Sequence, residues 1–134
     1  MLDRHLAATI DLHAQVKQAH WNVRGPTFIA LHELFGKVAD AVEEYSDTIA
    51  ERTAEGTIQI VVEHSFLHHY RLGIADAEAH IAAVTAPLAT FGESARNAID
   101  ERATFGDADT SDVFTEISRG VDQQLWLVKS HRQP

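Results

Sequence analysis

Apolar residues recur at three- and four-residue steps through most of this chain, the period of helices that bury one face. Between Leu2 and Val23 they fall at Leu6, Ile10, Leu12 or His13, Val16 and Ala19 or His20. The stretch Arg24-Gly25-Pro26-Thr27 interrupts the pattern. Glycine permits positive φ, proline cannot continue a helix, and threonine can cap the next one. A second stripe runs from Thr27 or Phe28 to about Thr53, through Leu31, Leu34 or Phe35, Val38, Val42, Tyr45 and Ile49. A third helix is expected from about Asp76 to Thr104, capped by Asp76 with Ile74 as a staple. Pro87 lies inside it and should bend it or mark its first half as separate. After the turn from Phe105 to Thr110, a fourth stripe passes through Val113 or Phe114, Ile117, Val121, Leu125 and Val128, ending near Ser130.

Residues 54–75 break the rhythm. Gly56 and Gly73 punctuate them, and Thr57-Ile58-Gln59-Ile60-Val61-Val62 could be a strand by propensity. Among helices it is expected to pack as a connector, with a short extra helix around Val62–His69. The reading is all-α: one domain, residues 1–134, forming a four-helix bundle. Short turns join the first two and the last two helices, and a long middle link lets the second and third run alongside each other.

Composition narrows the function classes. The chain has no cysteine, hence no disulfide, thiolate metal site or thiol nucleophile. That fits a reducing cytoplasm. It has no apolar run of membrane-spanning length, and Met1-Leu2-Asp3-Arg4-His5 lacks the apolar core of a secretory signal. The formal net charge is −9, with 11 Lys and Arg scattered along the chain. Duplex DNA binding is therefore disfavoured. An acidic protein attracts cations, and self-association multiplies that field, although acidity also serves plain solubility.

The chemistry concentrates in Lys17-Gln18-Ala19-His20-Trp21-Asn22-Val23-Arg24-Gly25-Pro26, followed by His32, Asp47 and Glu51. Imidazoles and carboxylates are expensive to bury without partners, and a metal ion is one partner that would hold all four. Asp47 and Glu51 lie four apart and share a helix face. Two adjacent carboxylates repel unless a cation or proton sits between them. His32 lies on the same helix fifteen positions before Asp47, a span of about 22 Å. One helix cannot bring them together, but two antiparallel copies across a two-fold axis can. The spacing thus favours a site between protomers. Imidazole plus carboxylate suits Fe(II), Mn(II) or Zn(II) rather than Ca(II) alone. The bland alternatives are a solvated Asp47/Glu51 face with Arg52 nearby, and helix packing for His20 and His32.

The same residues carry a family resemblance. The run from Lys17 to Gly25, then Phe28-Ile29-Ala30-Leu31-His32-Glu33-Leu34-Phe35, then Asp47-Thr48-Ile49-Ala50-Glu51-Arg52, resembles the Dps family. These are small ferritin-like proteins of starved or oxidatively stressed bacteria. Gly106-Asp107 and Asp122-Gln123-Gln124-Leu125-Trp126 extend the likeness into the C-terminal half. The resemblance implies a ferritin-like bundle assembled from two-fold dimers into a dodecameric shell around a mineral cavity. It implies oxidation of Fe(II), usually by hydrogen peroxide, and iron storage, with Zn or Mn as substitute ions. One subunit would give His20 and His32, and its two-fold partner Asp47 and Glu51. Trp21 should lie beside the site, as core filling or, by family analogy, as an electron donor. Lys17 pairs with a site carboxylate or is simply solvated.

Three departures stand out. The family pattern implies an aspartate ligand four residues after His32, and this chain has Gly36. Glycine there also costs roughly 1 kcal/mol of helix propensity against alanine. Weaker iron binding and slower oxidation are expected, or a cage with no ferroxidase activity at all, and Gly36→Asp should raise the rate. The link after Arg52 is shorter than in relatives, which place more residues before the stretch matching Glu55-Gly56-Thr57. No lysine-rich tail precedes Leu2, so tail-mediated DNA binding is not expected. Asp107, Asp112 and Glu116 resemble the family's acidic three-fold pore, although acids near a helix start also complement its dipole. His68 and His69 are read as surface, as are Glu43 and Glu44.

Overall fold

The computed structural model describes residues 2–53 and 58–132. Four long helices carry the chain: α1 (Leu2–Asn22), α2 (Phe28–Arg52), α3 (Ala77–Thr104) and α4 (Ala108–Lys129). No strand occurs among the described residues. α1 packs along α2 and α3 along α4, and the two hairpins close on one core. α1, α2 and α4 bury most of the stripe that the period predicts, with Ile10, Tyr45 and Leu125 half-buried. Leu12, Val16 and Ala19 of α1 meet Leu31, Phe35, Val38 and Val42 of α2, with Val84, Leu88 and Phe91 of α3 and Phe114, Ile117 and Val121 of α4, all essentially inaccessible to solvent.

The α1–α2 turn is set by Gly25, whose φ of +113° an L side chain rarely tolerates. Gly25 O accepts from Phe28 N at 3.1 Å, and Arg24 N donates to Ala75 O at 2.8 Å. The second bond ties this turn to the residues entering α3. Thr27 and Asp76 occupy the expected cap positions but make no side-chain cap hydrogen bond. Pro87 sits buried within an unbroken α3, so the first half of that helix is not a separate element. α4 begins at Ala108, earlier than the periodicity predicts. Asp107 caps it by accepting from Thr110 N, drawing Ala108–Thr110 into the first turn.

The middle link departs from expectation. Its extra helix is a three-residue 3₁₀ turn, Val62–His64, that stops well short of His69. Ile58, Ile60 and Val62 do not pack as a connector: they are 44%, 57% and 58% exposed. Polar contacts anchor the link instead. Ser65 Oγ donates to Asp11 Oδ2 at 2.7 Å, and Gln15 Nε2 donates to the His68 carbonyl at 2.8 Å. The short link after Arg52, with Gly56 inside it, lies outside the described residues. No helix among the described residues is long and apolar enough to cross a membrane.

Candidate metal centre

His20 lies in the last turn of α1 and His32 near the start of α2, so the Gly25 turn folds one onto the other. Their rings stack with centroids 3.8 Å apart and planes inclined by 14°. His20 Nδ1 donates to the His32 carbonyl at 2.6 Å, and His32 Nδ1 donates to the His20 carbonyl at 2.7 Å. A carbonyl can only accept, so both rings carry a proton on Nδ1. In the neutral imidazole the lone pair then sits on Nε2. Neither Nε2 has a hydrogen-bond partner among the described residues. A ring held through Nδ1–H to a backbone carbonyl, with Nε2 open, is the usual posture of a metal-ligating histidine.

Phe28 stacks against His32 at 5.1 Å. Beside it opens a groove of about 330 Å³ lined by Trp21, Arg24, Gly25, Phe28 and His32. Trp21 is 62% exposed, because it projects from the end of α1 away from the core. It does not fill the core, which corrects that reading, and it lines the same groove as His32. Lys17 Nζ rests 5.7 Å from the Trp21 ring centroid, a cation–π arrangement, and forms no ion pair among the described residues.

Asp47 and Glu51 are exposed near the far end of α2 and make no ion pair among the described residues. Arg52, the counter-ion of the bland reading, is engaged elsewhere. Its Nε donates to Thr110 Oγ1 at 2.8 Å and its Nη2 to Asp107 Oδ1 at 3.3 Å. No cluster of three or more potential ligands forms within the described residues of one chain. One chain carries an imidazole pair at one end of α2 and a carboxylate pair at the other.

Gly36 is half-buried on α2, one turn after His32. A Cβ built there would meet His20 Cε1 at 3.1 Å and Nδ1 at 3.3 Å. The place of the expected aspartate is thus the floor beneath the His20 ring.

Of the acidic trio, Asp107 is already committed to the α4 cap and to Arg52. Its hydrogen bonds with Thr110, and then the Arg52 guanidinium, hold its carboxyl below the usual carboxylate range. Asp112 and Glu116 are exposed on α4. His68 and His69 are exposed, and so are Glu43 and Glu44. The polar pair that periodicity overlooks is Tyr70 with His80. His80 is 1% exposed; its Nε2 donates to the Ile74 carbonyl at 3.0 Å, and its Nδ1 accepts from the Tyr70 hydroxyl at 2.7 Å. The available signal was His80 standing next to Ile81 on the buried stripe of α3.

Bundle topology, the crossover link and the paired imidazoles define a ferritin-like protein, and the model of the ferritin-like domain family matches residues 1–133. The chain belongs to the Dps family within that class. It is 38% identical to the DNA protection during starvation protein of Agrobacterium fabrum, over 99% of this chain and 86% of the relative. Among solved structures it is similar to DpsA14 from Streptomyces coelicolor, at a TM-score of 0.91 and 34% identity, covering 99% of this chain and 82% of that one. It is also similar to Dps from Microbacterium arborescens in the high iron form, at a TM-score of 0.87 and 32% identity, covering 97% and 88%.

Proposed function

We propose that this protein oxidises Fe(II) with hydrogen peroxide at sites shared between two-fold related protomers, and stores the product as ferric mineral in a dodecameric shell. The observation that carries this reading is the reciprocal His20–His32 lock, which leaves both Nε2 lone pairs without a partner among the described residues. Membership of the Dps family supports iron storage and protection, and the high iron form of the relative from Microbacterium arborescens is consistent with it. Iron and peroxide are substrates here. Two Fe(II) ions each lose one electron, the peroxide O–O bond breaks, and with two protons the products are two Fe(III) and two waters. Consuming both reactants together suppresses hydroxyl radical formation.

The residues fit this cargo. His20 and His32 supply nitrogen, and Asp47 and Glu51 of a neighbouring copy supply oxygen, a set suited to Fe(II) and open to Zn(II) or Mn(II). An incomplete protein ligand set leaves coordination positions for peroxide. Trp21, which lines the groove, would give an electron to a stray radical formed at the site and quench it. Asp112 and Glu116 would line the route for entering cations, an attraction that weakens as salt rises, while Asp107 is taken up by Thr110 and Arg52. With a net charge of −9, protection through removal of iron and peroxide is favoured over protection by coating DNA.

Complementation tests the shared site. A variant lacking both histidines (His20→Ala with His32→Ala) and one lacking both carboxylates (Asp47→Ala with Glu51→Ala) should each be inactive. Co-refolded in equal amounts, they should recover about a quarter of wild-type Fe(II) oxidation, because half of the dimers are mixed and each mixed dimer has one intact site. No recovery, with shells formed, would sink the shared-site reading. A second reading, a cage with impaired or absent ferroxidase activity, is favoured by Gly36 alone. Anaerobic Fe(II) loading followed by peroxide decides: absorbance rising no faster than in buffer leaves only the cage.

A further inference from the structure

We propose that Gly36 is a positioning residue, the seat of the His20 ring rather than an emptied ligand position; this rests on the metal-centre reading above. Gly36 lies mid-helix and is not among the glycines with positive φ, which among the described residues are Gly25, Gly73 and Gly106. Conformational freedom therefore does not account for it, and helix propensity opposes it. What accounts for it is space. The three heavy atoms nearest its absent Cβ all belong to His20: Cε1 at 3.1 Å, Nδ1 at 3.3 Å and Nε2 at 4.0 Å. Carbon atoms in ordinary contact stand about 3.5–4.0 Å apart, so a methyl group there pushes on the ring.

The ring has little room to retreat. His32 stacks on it with centroids 3.8 Å apart, and its Nδ1 is tied to the His32 carbonyl at 2.6 Å. A side chain at position 36 must loosen the stack or lengthen that bond. Either change frees the His20 proton to move between nitrogens and alters the direction of its Nε2. An absent side chain on α2 thereby orients a metal donor on α1.

The test uses the assembled, metal-free protein with Gly36→Ala and Gly36→Asp. Crystal structures read the His20 ring, Co(II) titration followed by visible absorption reads the centre, and thermal melting reads the fold. Gly36→Ala should melt at or above wild type, displace the His20 ring from the His32 carbonyl and weaken Co(II) binding by ~10–100-fold, the usual range for lost support of a metal ligand. Unchanged ring position and Co(II) affinity in Gly36→Ala would overturn the assignment. So would tighter Co(II) binding in Gly36→Asp with the His20 ring still in place, since position 36 would then be a vacant ligand site. If wild type takes up no Co(II), the metal centre falls, while the Gly36→Ala crystal structure still decides whether glycine seats the ring.

Discussion

His20 with His32, and His80 with Tyr70, are two ways of holding a histidine in one small bundle. Each of these rings donates to a backbone carbonyl: His20 and His32 to one another's, His80 to that of Ile74. They differ at the second nitrogen. His80 Nδ1 accepts from the Tyr70 hydroxyl, and the pair is closed and buried. In the half-buried stacked pair, both Nε2 atoms lack a partner among the described residues. A closed ring knits the middle link to α3. An open ring keeps its lone pair for something outside the chain. Burial alone would rank His80 first, and the unpaired nitrogen reverses that ranking.

The largest expected effect separates the two regions by function. His20→Ala or His32→Ala should lower peroxide-dependent Fe(II) oxidation by on the order of 100-fold, with little change in melting. Oxidation at the wild-type rate in both variants would erase the distinction. Tyr70→Phe should do the reverse. It leaves a buried His80 nitrogen without a donor, at a cost of about 1–3 kcal/mol in denaturant unfolding, with oxidation by the assembled protein unchanged. Stability equal to wild type would mean that the Tyr70 hydroxyl bond contributes nothing.

A finer test lies in pH. Burial lowers the His80 pKa from its ordinary 6.5, outweighing the Ile74 carbonyl and Asp76, which raise it, while Arg24 lowers it further. Below 6.5 the unfolded chain takes up a proton on this ring before the folded chain does. Stability should therefore fall as pH drops through that window and stop changing once the folded ring also protonates; above the window this ring contributes no slope. His80→Gln can still donate to Ile74 and accept from Tyr70, and it should flatten this part of the profile. Identical slopes for wild type and His80→Gln, measured as melting temperature against pH, would show that His80 protonates equally in both states.

The fold was legible because its signal is redundant. Leu12, Val16, Phe35, Val38, Ile117 and Val121 all obey one period, and all are buried. The link resisted because no period governs it. The apolar run Ile58–Val62 invites burial by composition, yet it stands exposed while Ser65 and Gln15 provide the polar anchors. For the centre, the surroundings of Trp21 and Arg52 were not legible for one reason: which neighbour a long side chain turns to depends on the other helices. Trp21 faces the groove beside Phe28, and Arg52 reaches across to Asp107 and Thr110.

By itself, the order of residues determined four helices, their buried faces and the reach of α2, which keeps His32 about 22 Å from Asp47. Those are local properties, repeated every turn, and they survive without knowledge of any neighbour. Tertiary structure decided which nitrogen of each imidazole is open, that Gly36 lies under the His20 ring, and that His80 is sealed by Tyr70. These are relations between elements distant along the chain, and no periodicity encodes where a ring comes to rest against a backbone it meets only after folding.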